Sequence, residues 1–355
     1  MREPAAMSQR RAAAPDSRST SSLMQLTTAR LRTAPMMDWS DRHCRYFFRQ
    51  LSREALVYTE MITTGALMHG DLDRHLRFDA AEHPVALQLG GCNPEELAYC
   101  AQLGERWGYD EINLNCGCPS ERVQHGAFGA CLMAEPELVA DCVKAMQDAV
   151  SVPVTVKQRL GIDHVEDYGF VRRFVETLAR AGCGIFIVHA RNAVLKGLSP
   201  RDNREVPPLR YEDVYRLKRE FPELTIIING GIQTAAQVDT HLARLDGVML
   251  GRAAYHDPYL LAQLEHRLCG TPLIAREEVV GRMLRYARQE VEHGETLRSI
   301  TRHMLGLFHG GPGARVWRRM LSDSARLARG EAVLLIQALE AARSRDPSAL
   351  PAKAA

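Results

Sequence analysis

The densest chemical signal in this 355-residue chain is the run Asn113-Leu114-Asn115-Cys116-Gly117-Cys118-Pro119-Ser120. It continues through Arg122, Gln124 and Gly126 to Gly129-Ala130-Cys131. Gly117 frees the backbone and Pro119 fixes its own φ, so Cys118 is presented on a loop that leaves a strand. A thiol in that setting can be a nucleophile, a metal ligand or a proton donor to a carbanion-like centre. The competing reading, a small buried hydrophobe, is weakened by the loop position and polar neighbours. Zinc is disfavoured, because no CxxC or nearby Cys/His pair completes a four-ligand set with Cys116, Cys118 and Cys131. The other six cysteines fall in helical or buried patterns and read as structural. Nine cysteines in a chain this long do not make a disulfide framework.

A second signal is Asn229-Gly230-Gly231, followed about twenty residues later by Gly251-Arg252. Glycines let backbone N–H groups approach a phosphate, and Arg252 adds a fixed positive fork. Lys157 and Arg159, two apart on one β-rich run, point to the same side. In a cofactor cleft Lys157 would neutralise an electron-rich ring. His189 and Arg191 repeat that spacing, and Gln88 offers the donor and acceptor that suit the edge of a planar heterocycle.

These residues sit at the ends of short β-rich runs at 31–36, 56–62, 85–90, 111–116, 154–160, 185–190, 225–230 and 247–251. Stretches of helical period lie between them, for example at 94–107, 136–149, 170–181 and 211–221. The alternation predicts parallel βαβ units, and eight strands in about 240 residues match a (β/α)8 TIM barrel. Its C-terminal mouth would gather the strand-end polar residues. A doubly wound open sheet is the alternative, but no G-x-G-x-x-G turn follows residue 36. After residue 270 the strand signal ends, and helices are expected at 275–293, 296–308, 313–329 and 331–345, a small C-terminal all-helical domain.

Net charge is only +2, which argues against a uniformly basic nucleic-acid-coating protein. The mean hides segregation: residues 23–270 carry five more acids than bases, and residues 271–346 four more bases than acids. From Arg298 to Arg329 there are seven arginines and one acid, Asp323. Arg315, Arg318, Arg319 and Arg326 recur at helical spacing. A solvated face normally mixes signs, whereas an arginine-only face suits a phosphate backbone.

Ala34-Pro35-Met36-Met37-Asp38, the Asn113–Ser120 segment, Lys157-x-Arg159, His189-Ala190-Arg191, Asn229-Gly230-Gly231 and Gly251-Arg252 together resemble the tRNA-dihydrouridine synthases. Gly197–Glu205 and Gly311–Arg319 look most like the bacterial A subfamily, and the resemblance spans about residues 28–345. It implies FMN-dependent reduction of uridine in the tRNA D-loop, at positions 20 and 20a, with NADPH reducing the flavin. It also implies that Cys118 protonates C5 of the uracil. Pro35, Met36, Met37, Gln88, Lys157 and His189 would meet the flavin, and Asn229, Gly230, Gly231, Gly251 and Arg252 its phosphate. Asn115, Arg201, Arg204, Arg315 and Arg318 would contact tRNA. Cys116 stands where an apolar residue is expected, so oxidation could join it to Cys118.

The implied organisation is a disordered tail at 1–27, an FMN-binding catalytic barrel at 28–268, a helical tRNA-binding domain at 269–346 and a flexible tail at 347–355. The expected setting is a cytoplasmic monomer with tRNA as partner and neither membrane, DNA nor metal. Two rival readings are another FMN barrel reducing a free pyrimidine, like dihydroorotate dehydrogenase, and a non-catalytic RNA-binding protein. The first leaves the arginine-rich appendage unexplained, the second the thiol and the flavin set.

Overall fold

The computed structural model describes residues 29–120, 126, 128–165 and 167–344. The expected tails and the side chains of Arg122 and Gln124 lie outside the described residues. Eight strands form in chain order: β1 (Leu31–Thr33), β2 (Val57–Thr63), β3 (Val85–Gly90), β4 (Glu111–Cys116), β5 (Val154–Arg159), β6 (Ile185–His189), β7 (Thr225–Asn229) and β8 (Gly247–Leu250). Every named pair is parallel, and β1 lies beside β8. The ring closes through Arg32 and Leu56, where Leu56 N–H donates to Leu31 O and Thr33 N–H to Leu56 O, both at 3.0 Å. The expected TIM barrel is therefore present, with helices packed around it.

Strand alternation divides the apolar residues into two cores. A large outer one fills the space between strands and helices. A small inner one holds Ala34, Leu56, Tyr58, Ala86, Ile185, Ile187, Ile227 and Met249. The barrel floor also contains charge. Arg32 donates to Glu111 and to the Tyr58 hydroxyl, both at 2.7 Å, and Tyr58 donates in turn to Glu111. The Arg32 and Glu111 residues are both fully buried.

Helices at Pro94–Trp107 and Pro136–Ala149 have the predicted bounds, each opened by a proline that fits the first helical turn. The C-terminal region is helical as expected, but more broken. The 296–308 stretch forms only Leu297–Thr301 and a 3-10 turn, because the chain at Gly306 runs against the barrel: a Cβ there would meet His256 O at 2.3 Å. The 313–329 stretch divides into Ala314–Leu321 and Ser324–Leu327, since Asp323 caps the second segment by accepting from Ala325 and Arg326 N–H. The helix Arg276–Glu292 seats this region on Arg42–Leu51, through the Tyr46–Tyr286 stack at 3.8 Å and His43 Nδ1 to Tyr286 Oη at 2.8 Å. Among the described residues no helix is long and apolar enough to cross a membrane.

Removing one member of a buried ion pair strands the other in low dielectric. Glu111→Ala is therefore expected to cost about 3–5 kcal/mol in denaturant unfolding. A loss below about 1 kcal/mol would mean that the barrel floor is not sealed from water.

Candidate active site

The strand ends converge on a cavity of about 450 Å³ at the barrel mouth. Pro35, Met36 and Met37 line it from the β1 loop, Gln88 from β3, and Asn115 and Cys118 from β4 and its loop. Lys157 enters from β5 and His189 from β6, Asn229, Gly230 and Gly231 from β7, and Gly251 and Arg252 follow β8. Arg204 joins them, whereas Arg201, Arg315 and Arg318 lie outside the cavity. Arg315, Arg318 and Arg319 are exposed on the helix whose Trp317 and Leu321 are buried, and none of the three pairs with an acid among the described residues.

Local turns set the rim. After β1 the chain reverses at Asp38 (φ 64°), with Ser40 Oγ accepting from Met36 N–H at 2.9 Å. This leaves Met37 57% exposed over the opening and stacks Trp39 on Tyr255 at 4.2 Å. Two strands round the ring, after β7, Gly230 and Gly231 take φ values of +112° and +72°. A Cβ on Gly231 would meet Leu209 at 2.6 Å and the Tyr211 hydroxyl at 2.9 Å, so only glycine fits this cradle.

Between floor and mouth runs a continuous chain of side-chain hydrogen bonds. Thr155 Oγ1 donates to Glu111 at 2.7 Å, Asn113 Nδ2 to Thr155 at 2.8 Å, Gln88 Nε2 to Asn113 at 2.7 Å and Asn115 Nδ2 to Gln88 Oε1 at 2.8 Å. Asn115 Oδ1 then accepts the backbone N–H groups of Gly117 (3.0 Å) and Cys118 (2.9 Å). The strand register places these groups together, since Gln88, Asn113 and Thr155 are successive partners and Asn115 pairs with Lys157 one level higher.

The cations at the mouth are crowded and desolvated. Burial, reinforced by the charge of Arg159, lowers the Lys157 ammonium to about 7, with Cys118 acting in the opposite sense. Lys157 Nζ donates to Asn229 Oδ1 at 3.2 Å. His189 is pushed well below its ordinary value by burial and then by Arg159 and Lys157, so its ring is neutral. Its Nδ1 is buried without a hydrogen-bond partner, a group available to a ligand. Arg159 ties two loops together, donating to Gly117 O at 3.0 Å and to Asn192 O and Asn203 O at 2.9 Å. Arg191 and Arg204 are both lowered by burial and by the charge of Arg252, which itself ion-pairs with Glu205 at 2.5 Å. The Cys118 thiol, half-buried, donates to Ser120 Oγ at 3.5 Å.

Cys116 and Cys118 are both free thiols, so the bridge expected under oxidation is not formed. Alternation sends Cys116 into the outer core, where burial raises its pKa well above the ordinary thiol range. Sequence reasoning did not assign Trp39, Met61, Pro200 or Gln233 to the cavity. No motif marks Trp39, Met61 or Gln233, Pro200 falls inside the Gly197–Glu205 segment without having been singled out, and the wide spacing of Trp39 and Tyr255 gives no sign that they stack. Outside the cavity, His43, Glu290 and Glu295 bring ligand atoms within 4.8 Å. Arg42 already ion-pairs with both glutamates, which satisfies that cluster without a metal.

Between about pH 7 and 10.5 a folded chain with Lys157 deprotonated binds fewer protons than the unfolded chain. Protonation thus favours unfolding, and stability rises with pH through that window. Lys157→Met removes the titration. Its gain in Tm over the parent, measured on ligand-free protein, is expected to be larger at about pH 6.5 than at about pH 9.5. Equal gains would mean that Lys157 keeps its charge throughout.

Comparison with known proteins agrees with this geometry. The family model described as dihydrouridine synthase matches residues 32–343. A tRNA-dihydrouridine(20/20a) synthase of Synechocystis sp. is 58% identical over 313 residues, 88% of this chain and 94% of that one. The protein of the same name in Yersinia pestis is 56% identical over 304 residues, 85% and 88% of the two chains. That of Pseudomonas putida is 54% identical over 318 residues, 89% and 95%. With a family match across nearly all the described residues and such identities over most of its length, the chain belongs to the dihydrouridine synthase family.

Proposed function

We propose that the barrel mouth binds FMN and that the enzyme reduces uridine to 5,6-dihydrouridine in the tRNA D-loop, at positions 20 and 20a, with NADPH as reductant. The observation that carries the reading is the convergence in one cavity of Gln88, Lys157, His189 and the Gly230–Gly231 cradle with the Cys118 thiol. These residues fit a flavin mononucleotide. The unpartnered His189 Nδ1 and the spare hydrogen-bonding capacity of Gln88 suit a polar ring edge. The two glycines and the mutually repelling arginines suit a phosphate. Bound there, FMN would supply the hydride to C6 of the uracil. Lys157, poised near neutrality, would take up a proton and hold negative charge beside the ring.

Cys118 would deliver the proton to C5 as general acid, a role open to a thiol held at the cavity wall. The target base must leave its stack to enter a barrel mouth, so the protein must hold the surrounding RNA. The exposed arginines 315 and 318, with Asn115, Arg201 and Arg204 nearer the opening, would hold the tRNA. On this reading residues 28–268 form the catalytic unit and residues 269–346 the tRNA-binding one, acting as a monomer in the cytoplasm.

Purified protein should carry or accept a yellow chromophore with flavin absorbance, and a colourless protein that cannot be reconstituted with FMN overturns the reading. Cys118→Ala should retain FMN and NADPH oxidation while product formation falls by about 10²–10⁴. An undiminished dihydrouridine yield would remove Cys118 as the acid. The double variant Arg315→Ala, Arg318→Ala should weaken tRNA binding and reduce the salt slope by about two. An unchanged slope would make these arginines a solvated face.

A further inference from the structure

We propose that Glu111, Thr155 and Asn113, deep in the barrel, are positioning residues for the Cys118 loop. They act through the one-way hydrogen-bond chain that ends on the Gly117 and Cys118 N–H groups. The inference rests on the reading of Cys118 as the proton donor, and extends it from the thiol to the groups that hold it in place.

The chain's polarity is fixed from both ends. At the floor, the Glu111 carboxylate, paired with Arg32, accepts from both Tyr58 and Thr155. At the mouth, the two backbone N–H groups can only donate. Between these ends Thr155 spends its proton on Glu111 and so accepts from Asn113. Asn113 therefore turns its Oδ1 to Gln88, and Gln88 its Oε1 to Asn115. Reversing any one amide would set donor against donor or acceptor against acceptor inside a sealed barrel. Asn113 and Thr155 are fully buried below the cavity, so water does not offer them an alternative partner.

One consequence is that Asn115 Oδ1 is committed to the loop, leaving only Nδ2 with a proton to spare at the mouth. Another is that aligned bonds polarise one another, so a break at the floor is felt at the top. The loop has other ties, Ala130 N–H to Cys118 O at 2.9 Å and Arg159 Nε to Gly117 O at 3.0 Å. Both engage carbonyls. The N–H groups that orient the Cys118 turn depend on Asn115 alone.

Thr155→Val is nearly isosteric and cuts one link without touching the cavity. It should lower kcat for dihydrouridine formation by about 10- to 100-fold and leave KM for tRNA within about twofold. The freed turn should let iodoacetamide alkylate Cys118 faster by about two- to tenfold, scored by peptide mass spectrometry. Thr155→Ser, which keeps the hydroxyl, should restore both values. Parental kcat and alkylation in Thr155→Val overturn the proposal. So does equal impairment of Val and Ser, which would trace the effect to packing of the methyl group. If Thr155→Val fails to melt cooperatively, Asn113→Ala is read by the same criteria. Retained dihydrouridine formation in Cys118→Ala would sink the proton-donor reading alone, whereas an inactive Cys118→Ala beside an unaffected Thr155→Val would sink the positioning alone.

Discussion

The Arg32–Glu111 ion pair at the floor of the barrel is the interaction on which the rest of the site depends. A buried pair of this kind is weak support for stability, because its attraction must first offset desolvation of both charges. Its larger effect here is directional. With Arg32 holding Glu111 as an acceptor, every polar group stacked above it has one orientation left, and that order reaches the turn carrying Cys118. The inner apolar cluster includes Tyr58, whose hydroxyl donates to Glu111 at the foot of this chain.

Electrostatics at the mouth follow from the same burial. Lys157, Arg159 and His189 enter from neighbouring strands into a partly closed space, and each is pushed toward its neutral form. Such a site is short of negative charge before anything binds. An anionic ring beside Lys157 and a phosphate beside Arg252 would supply it, and under the proposed function the arginine-bearing helix Ala314–Leu321 would meet RNA phosphates on the outside. The acidic barrel and basic appendage are two charge environments, which the proposed function would assign to two parts of one substrate complex.

Much of this was legible in the sequence, for local reasons. Short β-rich runs marked all eight strands, and β3 and β4 have the predicted bounds because polar or glycine residues end them abruptly. The Gly230–Gly231 turn was readable because only glycine takes that backbone. The helix Arg42–Leu51 was not, since its charged residues suggest a surface. Arg45 and Arg49 are in fact buried, Arg45 against Glu82 and Arg49 against the carbonyls of Ser52, Ala55 and Pro84. The hydrogen-bond chain was equally hidden: Gln88 and Asn115 line the cavity as read, but their bonds to each other, to Asn113 and to the Cys118 turn were not foreseen. Partners set by strand register across the barrel leave no mark on residue spacing along the chain.

Reduction of tRNA uridine at this barrel mouth, as proposed, is open to a genetic test. Mapping dihydrouridine in tRNA from a strain lacking the gene, with and without the gene restored, tests it most directly. The account predicts loss of dihydrouridine at D-loop positions 20 and 20a and its return on complementation. An unchanged dihydrouridine map in the deletion strain would contradict it.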